Sequence, residues 1–179
     1  MSSAIRVRAD AIFERSSPYE GQGLRNHCLR LHRLTSMLLD RDGLPLDGDL
    51  LYLAAMLHDL GLVVADVDGD SYLARSQALF RRETADLGLD PGQTAAIDEC
   101  LLYNHRVRPV PGVCAEAERF RQAVWIEHSR GLLRFGLDRG AVRQVFAELP
   151  RDNLDRVLLD FTRRVLAAEP GTLINGIFF

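Results

Sequence analysis

No lysine occurs anywhere in the 179 residues, so all 22 cationic side chains are arginine. Schiff-base chemistry, a P-loop lysine and any catalytic lysine are thereby excluded. Basic runs are missing as well. Nothing longer than the pairs Arg81-Arg82 and Arg163-Arg164 occurs, and 25 acidic residues bring the net charge to −3. A nucleic-acid partner is not expected from such a balance. Cysteine is sparse and scattered, at Cys28, Cys100 and Cys114, with no C-x-x-C pair. Neither a disulfide framework nor a thiolate zinc site is indicated, and a reducing cytoplasm fits. Long hydrophobic runs are absent too. The longest, Leu50 to Leu57, is far too short to span a bilayer, and Met1 to Arg8 lacks the apolar stretch of a secretory signal. A cytoplasmic protein with no membrane partner is expected.

What the chain has is a globular composition, 47% apolar and 26% charged, at a length suited to one core. A single domain over 1–179 is expected. Apolar residues recur at helical spacing almost throughout, and alternating β-branched stretches are nearly missing, so the fold class is all-α with about six to eight helices. The first long helix is predicted over Gly21–Leu39, with Leu24, Cys28, Leu31, Leu34 and Leu38 on one stripe. A second runs from Asp47 to Leu60 and stops at Gly61. The third begins near Ser71 and ends around Leu87–Asp90; the fourth opens with Pro91 and closes at Asn104. A fifth is predicted from Ala115 to Phe135, followed by one before Pro150 and one from Asp152 to Ala168. The apolar tail Thr172–Phe179 is expected to dock on the core. Asp66, Asp68 and Asp70 lack the order and the twelfth-position glutamate of a calcium loop and are read as a solvated turn. One of them folding back over a bound ion as a general base is left open.

Five histidines are present, His27, His32, His58, His105 and His128. A lone imidazole on an apolar face is more often hydrogen-bonded structure than a ligand, because both ring nitrogens need partners when buried. The strongest local feature is Leu53-Ala54-Ala55-Met56-Leu57-His58-Asp59-Leu60-Gly61, an apolar helix that closes on adjacent imidazole and carboxylate. A divalent cation would satisfy both donors and offset the cost of burying Asp59. His27 is the natural third ligand, since it lies inside the apolar stripe of the first long helix. His32, five positions on, is rotated about 140° away and is read as surface or cap-like structure. Arg30, one turn beyond His27, either reaches toward an anion near the metal or is a solvated helix charge.

His27, then His58-Asp59 after 31 positions, and later Tyr103-Asn104-His105-Arg106 resemble the HD superfamily of metal-dependent hydrolases, in particular small single-domain members similar to cyanamide hydratases. The resemblance covers about Leu24 to Gly131 and implies a helical bundle with one divalent transition ion, zinc, iron, manganese, cobalt or nickel. The remaining residues, 132–179, would be C-terminal helices and the docked tail. The resemblance also implies a terminal Asp ligand on a later helix. Here that helix reads Ala123-Val124-Trp125-Ile126-Glu127-His128-Ser129, with Val124 where an Asp is expected. Positions 124, 127 and 128 lie about one helical turn apart, so Glu127 is taken as the fourth ligand, with His128 as the alternative ligand or as a group that orients one. His105 corresponds to the histidine that many relatives place near the metal. With only that one between the doublet and the last helix, the di-iron oxygenase branch is disfavoured.

The expected function is a hydrolase in which the cation activates water against a small-molecule substrate such as a phosphate ester, with Arg30 and His105 as catalytic groups. A hydratase of the cyanamide type is the first alternative. A degenerate domain that binds a ligand or partner without turnover is the second. A homodimer is left open.

Overall fold

A computed structural model describes residues 3–45 and 47–171. The described residues form eight α-helices, within the expected six to eight: α1 (Ala4–Ser16), α2 (Gly23–Arg41), α3 (Gly48–Leu57), α4 (Tyr72–Thr84), α5 (Pro91–Tyr103), α6 (Ala115–His128), α7 (Arg139–Glu148) and α8 (Leu154–Ala168). A short 3-10 turn, Leu60–Leu62, links α3 to the loop before α4. The tail Thr172–Phe179 lies outside the described residues.

Local chemistry starts most of these helices. Asp47 accepts from the amides of Asp49 and Leu50, Ser71 from Ala74, and Asp138 from Ala141, each satisfying an otherwise orphaned N–H of a first turn. Asp90 and Gln93 form a reciprocal capping box ahead of α5, with Pro91 in the first turn.

Two elements depart from expectation. Helix α1 was not anticipated, because its sequence is polar and only Ala9, Ile12 and Phe13 are buried; it exists by packing that narrow face on α3. Helix α6 stops at His128 and not at Phe135. Arg130 and Gly131 take left-handed backbone, and their amides fold back onto the carbonyls of Glu127 and Ile126. The early stop leaves His128 as the last residue of α6.

Helix α2 is the axis of the bundle and packs against α3, α6, α7 and α8. Its inner face carries Leu24, His27, Cys28, Arg30, Leu31, Leu34, Leu38 and Leu39. Helix α3 is enclosed on every side, with all residues from Leu50 to Leu57 buried. It delivers the His58-Asp59 doublet into the interior opposite His27. The Asp66, Asp68 and Asp70 side chains are exposed, and Asp66 turns outward to Arg82. No helix among the described residues is long and apolar enough to cross a membrane.

Candidate metal centre

His27, His58 and Asp59 meet in the interior, their exposures being 1%, 0% and 5%. One ligand atom from each lies within 4.8 Å of the other two. The two Nε2 atoms of His27 and His58 are 3.1 Å apart, and Asp59 Oδ2 is 3.0 Å from His58 Nε2 and 3.6 Å from His27 Nε2. Donors bound at about 2.0–2.1 Å to one cation stand roughly 3.0–3.4 Å from each other at right-angled to tetrahedral geometry. The observed spacings fall close to that range.

Local bonds prepare this set. His58 Nδ1 is 2.8 Å from the Ala55 carbonyl, which can only accept, so Nδ1 carries the proton and Nε2 keeps its lone pair. Asp59 Oδ1 is buried and has no hydrogen-bond partner among the described residues. A buried carboxylate oxygen without a partner is costly unless a cation meets it. The donors therefore fit a divalent ion with mixed nitrogen and oxygen preference. Burial alone would push the Asp59 carboxyl up, but His58 and His27 outweigh it and hold the group well below the usual carboxylate range. For His27, burial opposes charge, yet Glu127 and Asp59 prevail and raise it to about 9.

A second layer adjoins the triad. His105, in the turn that follows α5, shares a 2.9 Å hydrogen bond through Nδ1 with the Tyr72 hydroxyl. Its Nε2 is 3.3 Å from His128 Nε2, and the His128 ring centre lies 6.2 Å from that of His27. Burial depresses His105 to about 3, against the attraction of Asp59, so the ring is a neutral donor and acceptor near neutral pH. His32 stands apart, with Nε2 3.0 Å from the Gly48 carbonyl at the start of α3.

Glu127 and Arg30 are corrected by the geometry. Glu127 is fully buried, but its carboxylate sits behind His27, with Oε1 3.4 Å from Nδ1, while Nε2 on the opposite edge of the ring faces the triad. Two guanidinium groups occupy both its oxygens. Arg30 donates from Nε and Nη2 to Oε1 at 2.9 and 2.5 Å, and Arg151 donates from Nη1 to Oε1 and Oε2 at 3.0 and 2.9 Å. Burial would raise the Glu127 carboxyl, but His27 and the two arginines drive it far below its ordinary value. Arg30 is neither a solvated charge nor a group that reaches an anion at the metal. Its remaining Nη1 donates to the carbonyls of Leu149 and Pro150 at 2.6 and 3.2 Å. Val124, one turn before Glu127, is buried and apolar.

Tyr72 and Arg151 were not singled out in the sequence. Tyr72 follows a helix-capping serine and reads as an ordinary apolar residue, and Arg151 lies in a turn with no periodicity to orient it. The HD domain family matches residues 24–94. No curated protein and no solved structure matches the chain. The matched span holds His27, His58, Asp59 and Tyr72; His105, Glu127 and His128 lie beyond it.

Proposed function

We propose that this chain, whose residues 24–94 match the HD domain family, is a metal-dependent hydrolase acting on a small-molecule substrate. The observation that carries this reading is the buried convergence of His27, His58 and Asp59, with one carboxylate oxygen unpaired. These three side chains would hold one divalent transition cation, drawn from zinc, iron, manganese, cobalt and nickel. When bound, such an ion would polarise an electrophile and make water a nucleophile near neutral pH.

The chain's own contribution is orientation and proton handling. Ala55 fixes the tautomer of His58. Tyr72 fixes His105, whose other nitrogen meets His128. The two imidazoles form a site beside the triad where a proton can be taken from water or returned to a leaving group. In this reading His105 is the catalytic group, and His128 works beside it and not as a ligand.

One observation favours hydration of a small neutral substrate such as a nitrile as the second reading. A phosphate ester is best met by several convergent cations. Arg30 is bound to Glu127, and Arg75 is bound to the Gly61 carbonyl and to Glu169. Phosphate-ester cleavage and nitrile hydration are therefore to be assayed side by side.

Elemental analysis of protein purified without chelator and without a histidine tag tests the common premise. Wild type should carry about one equivalent of a transition metal, and His58→Ala or Asp59→Asn should carry almost none. A metal-free wild type that also refuses added zinc would leave the non-catalytic binding module as the surviving description.

A further inference from the structure

The buried array behind His27 is larger than a ligand-free helix contact needs. Glu127 has no exposed surface, Arg30 has none, and Arg151 closes the array from the turn before α8. Two charges are thus taken fully out of water and a third partly, although apolar residues of similar volume would fill the space at no such desolvation cost. Their common point is Glu127 Oε1. It accepts from both guanidinium groups and faces His27 Nδ1 at 3.4 Å. That nitrogen is buried and, among the described residues, lies within hydrogen-bond distance of no other acceptor or donor. The nearest charge to it is the Glu127 carboxylate, and the other nitrogen of the same ring points into the triad.

From this placement, and resting on the reading that a cation binds His27, we infer that Glu127 is a positioning residue for the metal centre. It holds the proton of His27 on Nδ1, which keeps Nε2 available as a donor and sets the plane of the ring. Arg30 and Arg151 in turn hold the carboxylate in place. The arrangement parallels that at His58, where the Ala55 carbonyl does the same through Nδ1. The two histidine ligands would then be oriented by different means, one by a backbone carbonyl and one by a carboxylate whose charge strengthens the ring as a donor.

The helix positions explain why the role falls to Glu127. Residue 124, one turn earlier, is a valine in the core, so no carboxylate approaches the triad from that turn of α6. The longer glutamate side chain of the next turn reaches the far edge of His27 instead.

Zinc affinity, measured by competition with a chromogenic chelator, is the test, with Glu127→Gln and Arg151→Leu compared against wild type. Glu127→Gln should weaken zinc binding about 10- to 100-fold, the range for loss of an orienting partner. Arg151→Leu disturbs the same buried array but leaves the carboxylate on His27, and its loss should stay below about tenfold. Equal weakening in both variants, or no weakening in a folded Glu127→Gln protein, overturns the assignment and leaves the metal site itself standing. Should Glu127→Gln not fold, nitrogen-15 correlation spectra of zinc-loaded wild type decide the matter. The expected result is a slowly exchanging proton on His27 Nδ1, and a proton on Nε2 overturns the assignment. Wild type that binds no zinc would remove the metal reading and this inference with it.

Discussion

Arg30→Met is expected to lower the stability of the protein by about 3–5 kcal/mol, the usual consequence of removing one partner from a buried ion pair. For a chain of this size that corresponds to a fall of roughly 6–20 °C in the unfolding temperature. Arg30 is among the largest fully buried side chains. Its removal leaves Glu127 inside the protein with Arg151 as its only guanidinium partner and takes a donor from the carbonyls of Leu149 and Pro150. It also strips the cation that lies 5.3 Å over the Phe146 ring. The methionine fills most of the volume, so cavity formation contributes little and the charge effect is isolated. Arg30→Lys should recover little of the loss. One ammonium group cannot reproduce a planar fork that meets a carboxylate on one side and two carbonyls on the other. Calorimetry on the metal-free proteins measures the effect directly, and a loss under about 1 kcal/mol would mean that Arg151 and water suffice to solvate Glu127.

The contrast between Arg30 and His27 shows what a helical pattern does and does not convey. Both lie on α2, three positions apart. His27 falls inside the stripe defined by Leu24, Cys28 and Leu31, so its burial follows from periodicity. Arg30 sits at the edge of that stripe, where an arginine ordinarily reaches solvent; only the arrival of Glu127 from α6 and of the Leu149 and Pro150 carbonyls from the turn before α8 turns it inward. Those partners are 97, 119 and 120 positions away along the chain. No local signal announces them. The same limit hid Tyr72, whose partner His105 lies 33 positions on. Helix α1 was illegible for a related reason, since its few buried residues carry no amphipathic pattern strong enough to stand without α3 beneath it. The His-Asp doublet was legible because the apolar run that precedes it can only be a buried helix, and a buried helix ending on a carboxylate demands a compensating charge.

Gly61 illustrates a position whose importance was visible but whose reason was not. In the sequence it serves as the stop of the helix that carries the doublet. In the structure that helix has already ended at Leu57, and Gly61 lies in the following 3-10 turn, where its backbone is pressed against the first turns of α4. A Cβ on residue 61 would stand 2.0 Å from the Tyr72 carbonyl oxygen and 2.6 Å from the Ser76 amide nitrogen. Both are backbone atoms of a helix and cannot swing aside. The contact is further tied by the Gly61 amide donating to Ser76 Oγ at 3.0 Å, by Ser76 Oγ donating to the His58 carbonyl at 2.8 Å, and by Arg75 Nε donating to the Gly61 carbonyl at 2.8 Å. Gly61→Ala must therefore push α4 away from the doublet, at a cost of about 3 kcal/mol or more, the upper end of overpacking penalties. Because α4 carries Tyr72 onto His105 and Ser76 onto His58, the displacement should reach the site as well as the core. Zinc affinity is expected to fall along with the unfolding temperature, in contrast to Arg151→Leu, which should lower stability with little effect on zinc. A Gly61→Ala protein with wild-type stability and wild-type zinc binding would show that α4 yields freely, and that the close seat of α4 on the turn carrying the doublet is not needed to hold either Tyr72 or His58 in place.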